Sequence, residues 1–173
     1  MNNLLLKQTT TETWQALVKE SALKANIILT EDLESYLVFL LMRFAKEPNL
    51  AFSVLATEYL NANLPYHYPR HESLRNVGDK CLLFSGLYPG RASKKHVTVD
   101  YFIKLGRTAY SDLSDITENT LSVLYYNLSQ EFISLMEVLI ASWESDYIKR
   151  IMPEDMQQVM QVINHHKPWR QWH

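Results

Sequence analysis

All four glycines of this 173-residue chain, Gly78, Gly86, Gly90 and Gly106, fall between residues 74 and 110. Three of them lie inside patterns that otherwise read as core-facing helix. A glycine in a helix interior costs about 0.8–1 kcal/mol against alanine, so three in two helices imply a compensating gain. That gain is either close approach of neighbouring helices or room for a ligand, and close packing is the simpler of the two. Gly78, Cys81, Ser85 and Gly86 on one helix can face Gly106 and Ala109 on the next.

Periodicity carries the rest of the chain into helices. Thr10 or Thr11 can cap a helix over 12–25, with Trp14, Leu17, Val18 and Ser21 on one face. Thr30 can cap a second, with Glu31 and Asp32 at the positive end of its dipole. Leu33, Tyr36, Leu37, Leu40, Leu41 and Phe44 form its stripe, and Val38, Phe39 and Met42 widen that stripe to nearly the whole circumference. Such a helix lies in the centre of a core or in a subunit interface. A third helix follows Pro48, and a rigid proline- and aromatic-rich loop runs over 61–71. The fourth helix spans about 70–87, and the fifth starts at Thr98 or Asp100 with Phe102, Leu105, Gly106, Ala109 and Leu113 inward. The spacing predicts one long sixth helix from Asp115 or Thr117 to Ile151, and a last one beginning at Pro153. No segment alternates in the manner of a strand. The expectation is a single all-α domain over 1–173, a bundle of about seven helices, with 1–9 and 165–173 as flexible or partner-docking tails.

Composition closes several functional classes. The net charge is −2, so no basic field points to nucleic acid. The basic loop 91–96 and the tail Lys167-Pro168-Trp169-Arg170-Gln171-Trp172 mix cations with aromatics, but both are short. Cys81 is the single cysteine, which excludes an intrachain disulfide and a cysteine-based zinc cluster and fits a reducing compartment. Residues 1–13 lack the basic-then-apolar order of a signal peptide, and the longest apolar run, 36–42, is far short of a membrane span. A cytoplasmic protein is expected.

No motif spells out a reaction. There is no nucleophile elbow, phosphate loop, dinucleotide fingerprint or His-Glu-x-x-His pair. His67 and His71 are separated by Pro69 and do not share a regular turn, and a metal there with Glu72 is a minor option. Cys81 reads as a small buried hydrophobe rather than a reactive thiol. Arg75 and Asp79 are four apart and share a helix face beside Gly78. A boundary ion pair is the bland reading of them, and a partly buried pair that meets a ligand is the sharper one. In the sharper reading Arg75, Asp79, Tyr101, Arg107 and Tyr110 line a pocket between the fourth and fifth helices. Tyr66, Tyr68 and Tyr88 extend a tyrosine set suited to an interface, a pocket mouth or a core rim. No catalytic residue, cofactor or metal is expected.

Three clusters carry a resemblance. They are Leu74-Arg75-x-Val77-Gly78-Asp79, then Phe84-x-Gly86-Leu87-Tyr88-Pro89, then Asp100-Tyr101 with Gly106, Ala109 and Tyr110. With the upstream Leu33-Glu34-x-Tyr36-Leu37 they resemble a bacterial family of uncharacterised helical proteins over roughly residues 30–115. Phe102 stands where that pattern has a second tyrosine. The resemblance implies a bacterial cytosolic protein and no particular activity. The leading expectation is a non-enzymatic interaction, adaptor or regulatory module that forms a homodimer, because the helices over 36–44 and 116–150 carry more apolar surface than one seam requires. The competing expectation is the small-molecule site or enzyme just described.

Overall fold

The computed structural model describes residues 2–46, 70–87 and 99–143, and the described part is helical with no strand. Six helices follow in order: α1 (Asn2–Ala25), α2 (Glu31–Lys46), α3 (Arg70–Leu87), α4 (Val99–Ile116), α5 (Asn119–Gln130) and α6 (Phe132–Ser142). The helices expected after Pro48 and from Pro153, the loops over 61–69 and 91–97, and the tail 165–173 lie outside the described residues.

Local chemistry sets most helix ends. The α1 helix begins at Asn2, well before the expected threonine cap, because residues 2–11 contain no proline or glycine to stop it. It ends at Asn26, whose φ of 57° is left-handed. There the Ile27 N–H donates to the Ala22 carbonyl at 2.9 Å and the Asn26 N–H to Leu23 at 3.1 Å. This is the paired closure that satisfies the last carbonyls of a helix, with asparagine in the place glycine usually takes. Thr30 caps α2 as its position predicts, its Oγ1 accepting from the Leu33 N–H at 3.4 Å. Glu31, Asp32 and Glu34 fill the first turn of α2, and Arg43 and Lys46 the last, both favourable to its dipole.

The expected long sixth helix is two helices. Glu131 interrupts it with φ −92° and ψ 16°, outside the helical basin. Backbone bonds run across the break, from the Glu131 N–H to Asn127 at 2.8 Å and from the Leu135 N–H to Glu131 at 2.9 Å. The tertiary anchors lie on either side. Ser129 Oγ donates to the Arg107 carbonyl at 2.9 Å and Arg107 Nε donates back to the Ser129 carbonyl at 3.0 Å, stitching α4 to α5. On the other side, Phe132 is fully buried against Gly106. Nothing in the local sequence signals the interruption.

The central element is α3, not α2. Every residue from Val77 to Leu87 is buried, whereas Phe39 of α2 is 64% exposed. Small side chains make this position available to α3, since neighbours can close on several of its faces. A Cβ on Gly78 would stand 2.5 Å from the Tyr110 ring of α4, and one on Gly86 would stand 2.6 Å from Leu139 Cβ of α6. A Cβ on Gly106 of α4 would stand 2.7 Å from Cys81 Cβ of α3 and 2.6 Å from the Phe132 ring. The expected contact between the glycine-bearing helices is present, except that Gly86 serves α6 rather than α4. Trp143 closes that end, its Nε1 donating to the Gly86 carbonyl at 3.1 Å.

Gly106→Ala tests this packing, because propensity and sterics give opposite signs. An unobstructed helical site would gain about 1 kcal/mol from the change. Here the new methyl meets the Cβ of Cys81, which cannot swing aside, so we expect a loss of about 1–3 kcal/mol in urea unfolding. A variant as stable as the parent would show that the helices are not held at this distance.

Candidate functional site

The α2 helix presents Tyr36 and Arg43 two turns apart on one face, and α3 presents Asn76 and Asp79 one turn apart. The α4 helix presents Tyr110, whose ring crosses the gap left by Gly78. These side chains meet at the Asp79 carboxylate. Tyr36 and Tyr110 donate their hydroxyls to Oδ1, at 2.5 and 2.7 Å. Arg43 pairs with Oδ2 at 3.2 Å, and its second terminal nitrogen donates to Asn76 Oδ1 at 2.8 Å. Tyr36 and Tyr110 meet edge to face at 6.3 Å, and Tyr125 of α5 stacks on Tyr110 at 6.5 Å and 17°.

Asp79 is 3% exposed. Burial pushes its carboxyl above the ordinary value near 3.8, although Tyr36, Tyr110, Arg43 and Arg75 all pull the other way. Burial, followed by the Asp79 charge, drives the Tyr36 and Tyr110 hydroxyls well above 10, so both remain protonated donors. Tyr125 is also raised by burial, with Arg75 opposing the shift. A carboxylate this enclosed, with both oxygens engaged, is poorly placed to reach a substrate. What it does is join three helices.

Of the five expected site residues, the structure brings two into direct contact, Asp79 and Tyr110. Arg75 stands nearby and acts on Asp79 by charge, but the ion pair is made by Arg43 of a different helix. The expected Arg75–Asp79 couple is therefore corrected to Arg43–Asp79. The order of the two residues along α3 explains this in part, since arginine before aspartate is the weaker arrangement within a helix. Arg107 belongs to the α4–α5 seam through Ser129. Tyr101 is 43% exposed and lies nine residues from Tyr110, half a turn round α4, against Phe102. Tyr36, Arg43 and Asn76 complete the cluster and were not candidates from the sequence. Tyr36 was legible as an inward residue of α2. The signal for Arg43 was a cation set among the apolar residues of that helix.

Elsewhere, His71 pairs through Nε2 with the Ile116 carbonyl at 3.0 Å. Among the described residues no three His, Cys, Asp or Glu side chains are grouped as a metal ion would need. No family model, curated protein or solved structure matches this chain.

Two measurements follow from this geometry. Tyr36→Phe and Tyr110→Phe each remove one donor from a buried carboxylate, and each is expected to cost about 1–3 kcal/mol. Because they share Oδ1, the double variant should depart from the sum of the singles by more than about 0.5 kcal/mol. Strict additivity in urea unfolding would separate the two hydroxyls. The second measurement is pH dependence. The folded chain holds the Asp79 proton more tightly than the unfolded chain does, so stability from this group is complete below the ordinary carboxyl value and declines as pH rises through the raised one. Asp79→Asn removes that term. The difference in unfolding free energy, parent minus variant, should fall as pH rises above the ordinary carboxyl value near 3.8, and a rise would reverse the assignment.

Proposed function

We propose that this protein is a non-enzymatic helical interaction module that self-associates as a homodimer through the outer face of α5 and the start of α6. The observation that carries the proposal is an uncharged, apolar strip. Charged residues make up 21% of the chain, yet the twelve residues of α5 include no Asp, Glu, Lys or Arg. Val123, Tyr126 and Ile133 are 59%, 54% and 46% exposed. Val123, Tyr126 and Gln130 follow the three- and four-residue spacing of one face of α5, and Ile133 stands on the first turn of α6, just past the break at Glu131. In a two-fold contact the same strip meets itself, so any charge on it would face its own kind. An uncharged strip suits that arrangement, whereas a strongly charged partner would leave its charges unanswered.

The closed Asp79 cluster supports the same reading, because it has the character of a structural lock rather than of a reaction centre. Among the described residues no helix is long and apolar enough to cross a membrane. A bacterial, cytoplasmic setting is part of the proposal, and the buried free thiol of Cys81 is compatible with a reducing compartment.

Light scattering of the full chain at micromolar concentration should give twice the 20.3 kDa chain mass. Val123→Glu and Tyr126→Glu each place a carboxylate opposite its own copy and should weaken association by about tenfold or more. A monomer throughout the micromolar range, or a dimer indifferent to both substitutions, would overturn the proposal.

A further inference from the structure

The outer face of α2 carries a pattern that the fold leaves unused. Asp32, Phe39 and Lys46 follow one another at intervals of seven residues, nearly two full turns, so all three project from one side of the helix. All three are exposed, Phe39 at 64%. Ser35, one turn before Phe39, is small and exposed, and Met42, one turn after it, is half-buried. Other charges of α2 are taken up within the chain: Glu34 pairs with Lys19 of α1 at 3.8 Å, and Arg43 pairs with Asp79 of α3. Among the described residues, no ion pair engages Asp32 or Lys46.

The dipole of α2 accounts for an acid at its start and a base at its end. It does not account for a large aromatic ring held in solvent midway between them. Half a revolution about an axis through Phe39 exchanges position 32 with position 46. A second copy laid antiparallel on this face therefore meets ring with ring at the centre and, about 10 Å to either side, carboxylate with ammonium. Each copy supplies one acid and one base, so the face is complementary to itself, as a two-fold contact requires. A parallel arrangement in register would set Asp32 on Asp32 and Lys46 on Lys46.

We propose that α2 pairs antiparallel with α2 of a second copy of this chain, about a two-fold axis at Phe39, with Asp32 of each copy on Lys46 of the other. The face is narrow. One exposed aromatic ring and a half-buried methionine fall well short of the ~800 Å² per partner of a stable interface. The contact is accordingly weak, with a dissociation constant of about 0.1–1 mM. It lies on a different helix from the α5 strip and goes beyond that reading, because it adds a step of association to whatever species a micromolar solution holds.

Sedimentation velocity of the full chain from about 10 μM to about 1 mM tests this, and the mean mass should climb by about half or more over that range. Asp32→Lys leaves two bases on the face and Lys46→Asp leaves two acids, so neither variant alone should climb. An equimolar mixture of the two should climb as the parent does, because acid then meets base at both ends. Phe39→Ser should weaken the association by about tenfold. In the unmodified protein, raising sodium chloride from about 0.05 M to about 0.5 M should weaken it by about threefold or more, so the test stands even where a variant does not fold. A flat mass in the parent, a charge variant or Phe39→Ser protein that associates like the parent, a mixture of folded variants no better than its components, or indifference to salt would each overturn the proposal. A monomer at 10 μM that pairs at 1 mM in this salt-sensitive way would overturn the α5 proposal and support this one.

Discussion

The enclosed carboxylate of Asp79 is the constraint on which the arrangement of the helices depends. An ionisable group moved from water into a protein interior loses solvation that its partners must replace. The replacements come from elsewhere in the chain, Tyr36 and Arg43 on α2 and Tyr110 on α4. Hydrophobic contact alone would tolerate some sliding of these helices, since apolar burial has no direction. Three donors converging on two oxygens do not tolerate it. The cluster therefore sets the register of α2 and α4 against α3. The raised proton affinity of Asp79 indicates that burial outweighs the combined pull of its donors.

The glycines make that convergence geometrically available. Tyr110 reaches Asp79 because its ring passes over Gly78, where any side chain would stand in its path. Gly106 allows the reciprocal approach from α4 to Cys81 and admits the Phe132 ring as well. The helix-propensity cost at these positions and the polar cluster are thus parts of one arrangement. The small residues bring the backbones close enough for a tyrosine hydroxyl, at the end of a rigid ring, to meet a carboxylate on the facing helix. The same small residues let α3 be covered on several sides, which is why it occupies the centre while the more hydrophobic α2 leaves Phe39 in solvent.

The sequence made some of this legible and hid the rest, for identifiable reasons. Features governed by neighbouring residues could be read: the Thr30 cap, the helical class, and the glycines as contact points between α3 and α4. Asp79 and Tyr110 were readable as candidates because each breaks a local pattern beside small residues. The partners of Asp79 were harder to find because they lie 36 and 43 residues away, and nothing in the spacing of one helix fixes which neighbour it will meet. Proximity along the chain favoured Arg75, and tertiary packing chose Arg43. Tyr101 and Arg107 were grouped with the site because they share α4 with Tyr110, but helical rotation turns Tyr101 half a turn away, and Arg107, one turn from Tyr110, is taken up by the Ser129 carbonyl of α5. The break at Glu131 had no proline or glycine to announce it. The contacts on either side, Ser129 to Arg107 and Phe132 to Gly106, are long-range.

The choice of Arg43 over Arg75 also changes what Arg75 means. Had Arg75 closed the ion pair, α3 would have carried its own counterion, and α2 would have been joined to it by apolar contact and the Tyr36 hydroxyl alone. Recruiting the cation from α2 makes the charge pair a tertiary bond, and it leaves the arginine nearest in sequence with a buried nitrogen unsatisfied. Arg75 cannot relieve this by losing its proton, since guanidinium stays charged. A purely structural solution would have replaced it with an apolar side chain of similar length, which would fill the space without a donor to satisfy. The unsatisfied donor is thus the point where the interior departs from a closed lock.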